Sequence, residues 1–380
     1  MNRIGIQALG GPPMPPLSVL RRSPPIAITP AIADLLGRHA AVAVGVSGGK
    51  DSQAAAMATL EYLDRIGHAG PRLLIHADLG AVEWKESLPV CERLAAELCT
   101  ELVVVRRKQG GLLERWESRW RSNVARYEDL STVTLVPCWS TPSMRFCTSE
   151  FKTTKIHAEL ARGFKGLPII SVVGVRREES RQRARAAVAD RNPRNGIWTW
   201  RPILDWREEE VFDSIDARGI EPHPAYRQFG MTRVSCRFCI MSSLADLRAA
   251  TCQPETHDLY RRMVDLESRS TFAFQGARWL GDIAPDLLDG PARDALAAAK
   301  ELARQRVELE RRITRPMLYV QGWPTRMLSD TEADLLAEVR SEIGDLLDLN
   351  ARYLDRESIH RRYAELLAVR AGKAMKVSRA

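Results

Sequence analysis

The chain has little that would carry it into or across a membrane. No run of about 18 apolar residues occurs, so the sequence predicts no membrane span. The N-terminus carries Arg3 but no apolar core followed by a small-residue cleavage site. Secretion is therefore disfavoured, and the cytoplasm is the expected compartment.

Neither sign of charge dominates. The chain has 56 Lys and Arg residues against 48 Asp and Glu, a net charge of +8. This modest basic excess suits polyanionic ligands such as nucleotides or DNA but does not require one. Seven cysteines in a chain expected to be cytoplasmic favour metal binding or catalysis over structural disulfides. At 380 residues, more than one domain is expected.

A glycine-rich turn follows the first predicted strand. Residues 41–46 form a short Val-rich run, typical of a strand buried on both faces, and residues 53–66 predict a helix closed by Gly67. The turn between them consists of Ser47, Gly48, Gly49, Lys50, Asp51 and Ser52. Glycines let backbone N–H groups approach a phosphate, and a helix N-terminus adds partial positive charge. The turn therefore predicts an anion site.

This turn is not a Walker A loop. That motif needs Ser or Thr directly after the Gly-Lys pair, and Asp51 follows Lys50 here. SGGKDS instead resembles the pyrophosphate loop of the adenine-nucleotide alpha-hydrolase superfamily. The alternative interpretation is an ordinary strand-to-helix turn with a surface lysine.

The pattern downstream predicts an α/β fold with a Rossmann-like, doubly wound parallel sheet. Further strands are predicted at residues 72–77, 102–105 and 167–175, with a helix at 84–98. After about residue 246 strand signals disappear. Three amphipathic segments, at 291–312, 330–347 and 356–369, predict a helical C-terminal region. The expected domains are a Pro-rich extended lead-in at 1–28, a catalytic domain at 29–245 and the helical region at 246–380.

Charged residues follow two of these strands. Asp78 ends the second strand and predicts a contact to a nucleotide or to Mg²⁺, although a turn aspartate is the alternative. Arg176 follows Gly174 at the end of the fourth strand and is the strongest candidate among eight arginines in this part of the chain. Those eight are Arg176, Arg177, Arg181, Arg183, Arg185, Arg191, Arg194 and Arg201. They could clamp an acidic substrate, or they could form a solvated face.

Cys236 and Cys239 form a CxxC pair, which is a weak signal alone. It predicts a redox dithiol, half a zinc site or half an iron–sulfur site. Cys147 and Cys252 could complete four ligands, with Cys138 as a substitute. No histidine lies close after the pair until His257, so a thiolate-rich site is favoured.

Six blocks in this order together resemble the phosphoadenosine phosphosulfate reductase family of the PP-loop superfamily. They are SGGKDS (47–52), HADLG (76–80), RFCTSEFKTTKI (145–156), VGVRREESRQRA (173–184), RPILDWREEEVF (201–212) and HPAYRQFGMTRVSCRFC (223–239). The resemblance covers residues 40–245 and implies an adenine nucleotide over the loop. Gly174 and Arg176 match the later nucleotide-side motif.

The resemblance also implies a [4Fe–4S] cluster. In cluster-bearing members, a Cys-Cys pair and a later CxxC hold the iron. Cys147 matches the first position of the pair, Thr148 replaces the second, and Cys236 and Cys239 match the CxxC. Cys252 is the candidate for the fourth ligand.

One family feature is missing. The reductases attack the sulfonucleotide with a cysteine in a C-terminal Glu-Cys-Gly tail, and no cysteine follows Cys252. The branch with the same blocks that fits better comprises the ATP pyrophosphatases of DNA phosphorothioation. This branch implies cleavage of ATP to AMP and pyrophosphate, with Mg²⁺ as cofactor, and DNA or another nucleic acid and a sulfur-donor protein such as a cysteine desulfurase as partners. The alternatives are a sulfonucleotide reductase using an external thiol, and a nucleotide-binding regulatory or assembly subunit.

Overall fold

The structure is a computed structural model that describes residues 24–377. Most of the predicted lead-in therefore lies outside the described residues. The part that is described, residues 24–28, has no regular secondary structure and is bound to two buried indoles. Trp200 Nε1 donates to the Ala27 carbonyl at 2.8 Å, and Trp206 Nε1 donates to the Pro25 carbonyl at 3.0 Å. Both tryptophans are buried in the core.

Six strands form one sheet. They are β1 (Ala41–Val46), β2 (Arg72–Asp78), β3 (Leu102–Arg106), β4 (Ile169–Val173), β5 (Ala189–Arg191) and β6 (Trp198–Trp200). Their order is β3-β2-β1-β4-β6-β5. β1 runs parallel to β2 and β4, and β4 runs parallel to β6. The predicted α/β fold with a doubly wound sheet is confirmed.

The sequence pattern missed one edge of this sheet. β5 and β6 have three residues each and pair antiparallel, with Asp190 opposite Thr199. Strands this short carry no measurable alternation of apolar and polar residues. β4 is also shorter than predicted, because its paired residues begin at Ile169 and end at Val173.

Helices flank the sheet and make up the C-terminal region. They are α1 (Pro30–Gly37), α2 (Lys50–Arg65), α3 (Ser87–Glu97), α4 (Leu112–Glu128), α5 (Phe146–Thr148), α6 (Thr154–Gly163), α7 (Arg181–Ala184), α8 (Glu208–Asp216), α9 (Pro224–Arg227), α10 (Leu244–Thr251), α11 (His257–Ser270), α12 (Gly290–Glu310), α13 (Asp330–Leu347) and α14 (Arg356–Val377). A single π-helical turn, Ser149–Thr153, joins α5 to α6. None of the helices between residues 24 and 377 is long and apolar enough to cross a membrane.

Helix α2 begins earlier than the sequence predicted. Its first residue is Lys50 rather than residue 53, because Gly49 already has the extended conformation of an N-cap. The first turn of the helix therefore contains the motif residues Lys50, Asp51 and Ser52. The predicted helix at 84–98 is the shorter α3. Helix α1 is capped by Thr29, whose Oγ1 accepts a hydrogen bond from Ile32 N at 3.3 Å.

The chain divides into two compact units. The first comprises the described residues up to His76, Leu88–Val103 and Leu160–His223. The second comprises Ala77–Ser87, Val104–Glu159 and the chain from Pro224 onward. The second unit therefore combines the helical C-terminal region with α4, α5 and the CxxC segment.

Glu267 on α11 organises the second unit from within its core. Its side chain is fully buried, and its carboxylate accepts hydrogen bonds from three backbone amides. These are Phe274 N at 2.7 Å, Leu280 N at 2.7 Å and Gly281 N at 3.0 Å. Burial outweighs the three donors and raises the pKa of Glu267 to about 7.

We expect the stability of the second unit to fall as pH rises toward neutrality. The folded pKa of Glu267 lies above its ordinary value of 4.5, so the folded state binds the proton more tightly between those values. Stability is therefore full below about pH 4.5 and declines by about 3 kcal/mol as pH rises through about 7. Denaturant unfolding from pH 5 to 8 measures this. Glu267→Gln should lose this dependence, and parallel profiles for the two proteins would contradict the prediction.

Candidate functional site

The glycine-rich turn lies at the point where the order of strands in the sheet reverses. From β1 the chain proceeds to β2 and β3 on one side, and it returns as β4 on the other side of β1. Connections leaving β1 and β4 therefore diverge at their carboxyl ends, which is where ligands bind in open α/β sheets. Residues 47–52 follow β1 at this point, and residues 174–176 follow β4.

The turn is built to present the start of α2. Gly48 has a φ of 75°, in the left-handed region that favours glycine. Ser52 Oγ donates to the Gly49 carbonyl at 2.8 Å and accepts from Ser47 N at 3.2 Å. These bonds close the turn on itself, and no side chain caps the helix at Gly49. The predicted anion site thus has the expected backbone form.

Lys50 is the buried cation of this site. Only 4% of the residue is exposed, although lysines are rarely buried without partners. Its Nζ lies 3.0 Å from Glu208 Oε1, 3.5 Å from Asp51 Oδ2 and 5.8 Å from the centre of the Phe212 ring. Two carboxylates therefore hold the ammonium group of Lys50 in place.

Arg176 ties the loop after β4 to the first turn of α2. Its Nε lies 2.5 Å from Asp51 Oδ1, and the residue is 3% exposed. It also pairs with Glu178, and its backbone N–H donates to Glu179 Oε2 at 2.7 Å. Arg176 and the motif therefore meet, as the sequence predicted for a shared edge.

Gly174 is required by the closeness of this packing. A Cβ at this position would lie 2.3 Å from the Asp51 carbonyl oxygen and 2.8 Å from Ser52 N, both backbone atoms. We expect Gly174→Ala to push the loop off α2, break the Arg176–Asp51 pair, destabilise the first unit by about 1–3 kcal/mol and weaken nucleotide binding. Thermal unfolding with and without ATP measures both effects. Gly163→Ala is the control, because a Cβ there meets nothing within 4 Å; equal effects at both sites would contradict the prediction.

Asp78 has the geometry of a turn residue. Its Oδ1 accepts from Gly80 N at 2.6 Å, and its Oδ2 lies 2.6 Å from Arg106 Nε. It belongs to the second unit, at the end of β2. A catalytic or magnesium-binding role for Asp78 remains a prediction.

The other predicted arginines divide into two sets. Four have partners within the same segment: Arg177 with Asp205, Arg183 with Glu179, Arg191 with Gly196 and Arg201 with Asp190. Three are exposed on the surface of the segment: Arg181, Arg185 and Arg194. The paired set holds the segment together, and a substrate clamp formed by these arginines remains a prediction.

Three of the predicted metal ligands lie in one neighbourhood of the second unit. Burial raises the pKa of the Cys236 thiol, and the nearby thiols of Cys239 and Cys147 act on it in the same direction, whereas Lys152 opposes them. The segment that carries the CxxC is anchored at Gln275, whose Nε2 donates to the carbonyls of Cys239 at 3.1 Å and Ser242 at 3.0 Å.

The structure does not identify the fourth ligand of the predicted cluster. Cys252 caps the end of α10 and is exposed, whereas Cys138 is buried, which raises the pKa of its thiol to about 12. Within residues 24–377, no three Cys, His, Asp or Glu side chains converge as a ready-formed metal site. The cluster and its ligands Cys147, Cys236, Cys239 and Cys252 therefore stay predictions.

Sequence reasoning missed two residues of these sites. Glu208 is the closer carboxylate to Lys50, yet in the sequence it is only the first of three glutamates that open α8. Gln275 lies in a turn outside the resembling blocks, so no motif pointed to it. In both cases the contact joins segments more than 30 residues apart.

A glycine-rich turn at the switch point of a parallel sheet, with a buried lysine opening the next helix, is typical of nucleotide-binding α/β proteins. A family model described as the phosphoadenosine phosphosulfate reductase domain matches residues 41–242, more than half of the chain. The chain belongs to this family.

The chain is also similar to a phage protein. An uncharacterized 37.8 kDa protein of Escherichia phage 186 is 29% identical over 213 residues, which is 50% of this chain. The match spans 57% of the length of that relative.

Two solved structures are also similar to this chain. One is a phosphoadenylyl-sulfate reductase from Candida auris in a phosphate complex, 17% identical, covering 51% of this chain and 80% of its own, with a TM-score of 0.33. The other is a U34-tRNA thiolase from Methanococcus maripaludis with its [4Fe–4S] cluster, 16% identical, covering 63% of this chain and 77% of its own, with a TM-score of 0.37.

Proposed function

We propose that this chain is a PP-loop ATP pyrophosphatase of sulfur transfer, acting in the cytoplasm. It cleaves ATP to AMP and pyrophosphate to activate an acceptor oxygen, which sulfur then replaces. The observation that carries the proposal is the buried Lys50 in the first turn of α2, directly after the glycine-rich turn.

The reaction needs charge stabilisation at the pyrophosphate. An acceptor oxygen attacks the α-phosphorus, the bond from that phosphorus to the bridging oxygen breaks, and pyrophosphate leaves with the electron pair. A hydrosulfide then attacks the activated centre, the bond from that centre to the adenylated oxygen breaks, and AMP leaves with that oxygen and the electron pair. Lys50 and the amides at the start of α2 are suited to the charge that develops on the departing pyrophosphate. Lys50 would exchange its contact with Glu208 for a phosphate oxygen.

The cysteines of the first unit favour this reaction over sulfonucleotide reduction, which needs a thiolate at the nucleotide. Cys91 is fully buried in α3, within the core. Cys99 precedes β3, so it lies at the edge where the strands begin, opposite the phosphate turn. A reductase that takes its thiol from outside the first unit is the second candidate, and the family match favours it.

Mg²⁺ would enter with the nucleotide. The carboxylates of Asp51 and Asp78 each contact an arginine, so the described residues present no preformed magnesium site. Magnesium commonly uses one or two carboxylates together with substrate phosphates, and Asp51 is the carboxylate nearest the turn.

An iron–sulfur cluster would be held by Cys147, Cys236 and Cys239, with Cys252 as the proposed fourth ligand. It would supply a thiolate-ligated iron centre to the second unit. Anaerobically purified protein should be brown, with absorbance at about 400 nm, and Cys236→Ser should remove that absorbance. Colourless protein in which the four proposed ligand thiols all react with a thiol reagent would contradict the cluster.

The proposed acceptor is nucleic acid, with DNA phosphorothioation as the specific reaction. The sulfur would come from a donor protein such as a cysteine desulfurase, and the basic balance of the chain suits the acceptor.

The test is incubation of anaerobically purified protein with Mg-ATP, with and without DNA, followed by chromatography of the nucleotides. AMP and pyrophosphate in equal amounts support the proposal. ADP and phosphate would contradict it, because they place the cleavage at the γ-phosphate. Sulfite formed from a sulfonucleotide and thioredoxin, without AMP from ATP, would favour the reductase. Binding with neither reaction would point to a regulatory or assembly subunit.

A further inference from the structure

Three arginines of the second unit lie over two phenylalanine rings. The guanidinium carbons of Arg119 and Arg115 lie 4.7 Å and 5.3 Å from the centre of the Phe146 ring, and that of Arg107 lies 5.5 Å from the centre of the Phe151 ring. Phe146 is 6% exposed and Phe151 is 1% exposed. The rings are therefore buried supports, and we call the three arginines the arginine platform.

The platform carries more positive charge than its surroundings neutralise. Its carboxylate partner is Glu150, which receives two hydrogen bonds from Arg115, at 2.8 Å and 3.1 Å. The Arg115 hydrogen bonds lower the pKa of Glu150 most, and the charges of Arg107 and Arg119 lower it further. All three guanidiniums thus face one carboxylate.

The neighbouring acids of α4 are engaged elsewhere. Glu117 and Glu114 lie 3.1 Å and 3.8 Å from Arg262. Beyond their rings, Arg107 donates to the Gln109 carbonyl, and Arg119 donates to the Pro137 carbonyl and approaches the Met144 sulfur. Burial lowers the pKa of Arg119, and the charge of Arg115 lowers it further. A bound anion would relieve this repulsion.

The chemistry of the platform favours a phosphodiester backbone. Planar guanidinium groups match phosphate oxygens, and the platform holds three of them over buried aromatic rings. Because the phenylalanine rings are covered, they offer no face on which a base could stack. The contact would therefore be independent of base sequence.

We propose that the arginine platform of Arg107, Arg115 and Arg119 is the surface on which this protein binds the backbone of a nucleic acid. The inference rests on the proposed function, in which nucleic acid is the sulfur acceptor, and it adds the place of contact. The platform adjoins the predicted cluster ligand Cys147, which directly follows Phe146.

The experiment is fluorescence anisotropy of a labelled single-stranded oligonucleotide of about 20 nucleotides, titrated with full-length protein over a range of salt concentrations. Arg107→Gln and Arg119→Gln are tested singly and together. Each phosphate contact contributes about 0.7 to the slope of log K against log salt, or about fivefold in affinity at 0.1 M salt. The double variant should therefore lose about 25-fold and about 1.4 of the slope.

The control is the double variant Arg293→Gln with Arg315→Gln, which has the same net charge. Both residues are exposed arginines of the same unit, and Arg293, like Arg107, donates to a backbone carbonyl. The control should bind as the wild type does. Equal losses in both double variants would overturn the proposal, because they would show an effect of net charge alone. The proposal would also be overturned if only Arg119→Gln lost affinity for the oligonucleotide, its melting temperature fell, and Arg107→Gln bound as the wild type does.

Two further arms separate the sources of anion chemistry. Inorganic phosphate at equal charge concentration should not compete, and competition by it would show a small-anion site instead. Polyglutamate should compete weakly, and equal competition would indicate an acidic protein partner. The binding experiment contains no ATP. A failure to release pyrophosphate would therefore refute the proposed function without changing the result of the binding experiment.

Discussion

Replacing Lys50 by alanine is expected to reduce the release of pyrophosphate from Mg-ATP by about 10²–10³-fold, as for loss of one preorganised group that stabilises transition-state charge. The ammonium group is buried at the helix N-terminus and already lies among carboxylates. A departing pyrophosphate would replace those carboxylates. Radiolabelled ATP and separation of AMP and pyrophosphate measure the effect.

Three comparisons make this result specific. Lys165→Ala removes an exposed lysine that precedes β4, at the opposite edge of the sheet, and should leave the rate unchanged. Lys50→Arg should release pyrophosphate as slowly as Lys50→Ala, because the larger guanidinium has no room in a nearly closed site. ATP binding, followed by thermal shift, distinguishes a lost charge from a lost fold. Undiminished pyrophosphate release in Lys50→Ala would refute the assigned role.

Replacing Arg340 by methionine is expected to destabilise the second unit by about 4 kcal/mol. The side chain is fully buried and donates to four backbone carbonyls: those of Tyr127 at 2.9 Å, Glu128 at 3.2 Å, Arg352 at 2.5 Å and Tyr353 at 3.3 Å. Two of these carbonyls end helix α4, where a cation also complements the helix dipole.

The Arg340→Met variant should have a melting temperature lower than that of the wild type by roughly 10 °C, for a unit of this size. Arg356→Met is the matched control, because Arg356 is exposed and pairs with Asp334 and Asp330 on the surface. That change should cost less than about 1 kcal/mol. Arg340→Lys should be intermediate, since it keeps the charge but loses the planar fork. Equal stability of the Arg340 and Arg356 variants would contradict the prediction.

The central strands and the glycine-rich turn could be predicted because their signals are local. The Val-rich run before Ser47 forms β1, and Thr29-Pro30 opens α1 as a capped helix. The C-terminal helix α13 has the predicted bounds, since its capping box at Ser329 and Glu332 and its apolar spacing lie within one segment.

Other features were missed because they depend on distant segments. The three-residue strands β5 and β6 exist through pairing with each other and with β4, not through any periodicity of their own. The π-helical turn after Cys147 has no sequence signature either. The two compact units also interleave along the chain, which no linear pattern in the sequence indicates. The division of the chain at residues 245 and 246 stays a prediction.

By itself, the amino-acid sequence determined the α/β class, the glycine-rich turn with Lys50 and Asp51, and the helical C-terminal region. Only the tertiary structure decided which charges meet. It placed Arg176 on Asp51, Glu208 on Lys50, and three arginines on two phenylalanine rings. The reason is physical: backbone preference and apolar periodicity act over a few neighbouring residues, whereas a charge pair or a ring contact forms between segments that the fold alone brings together.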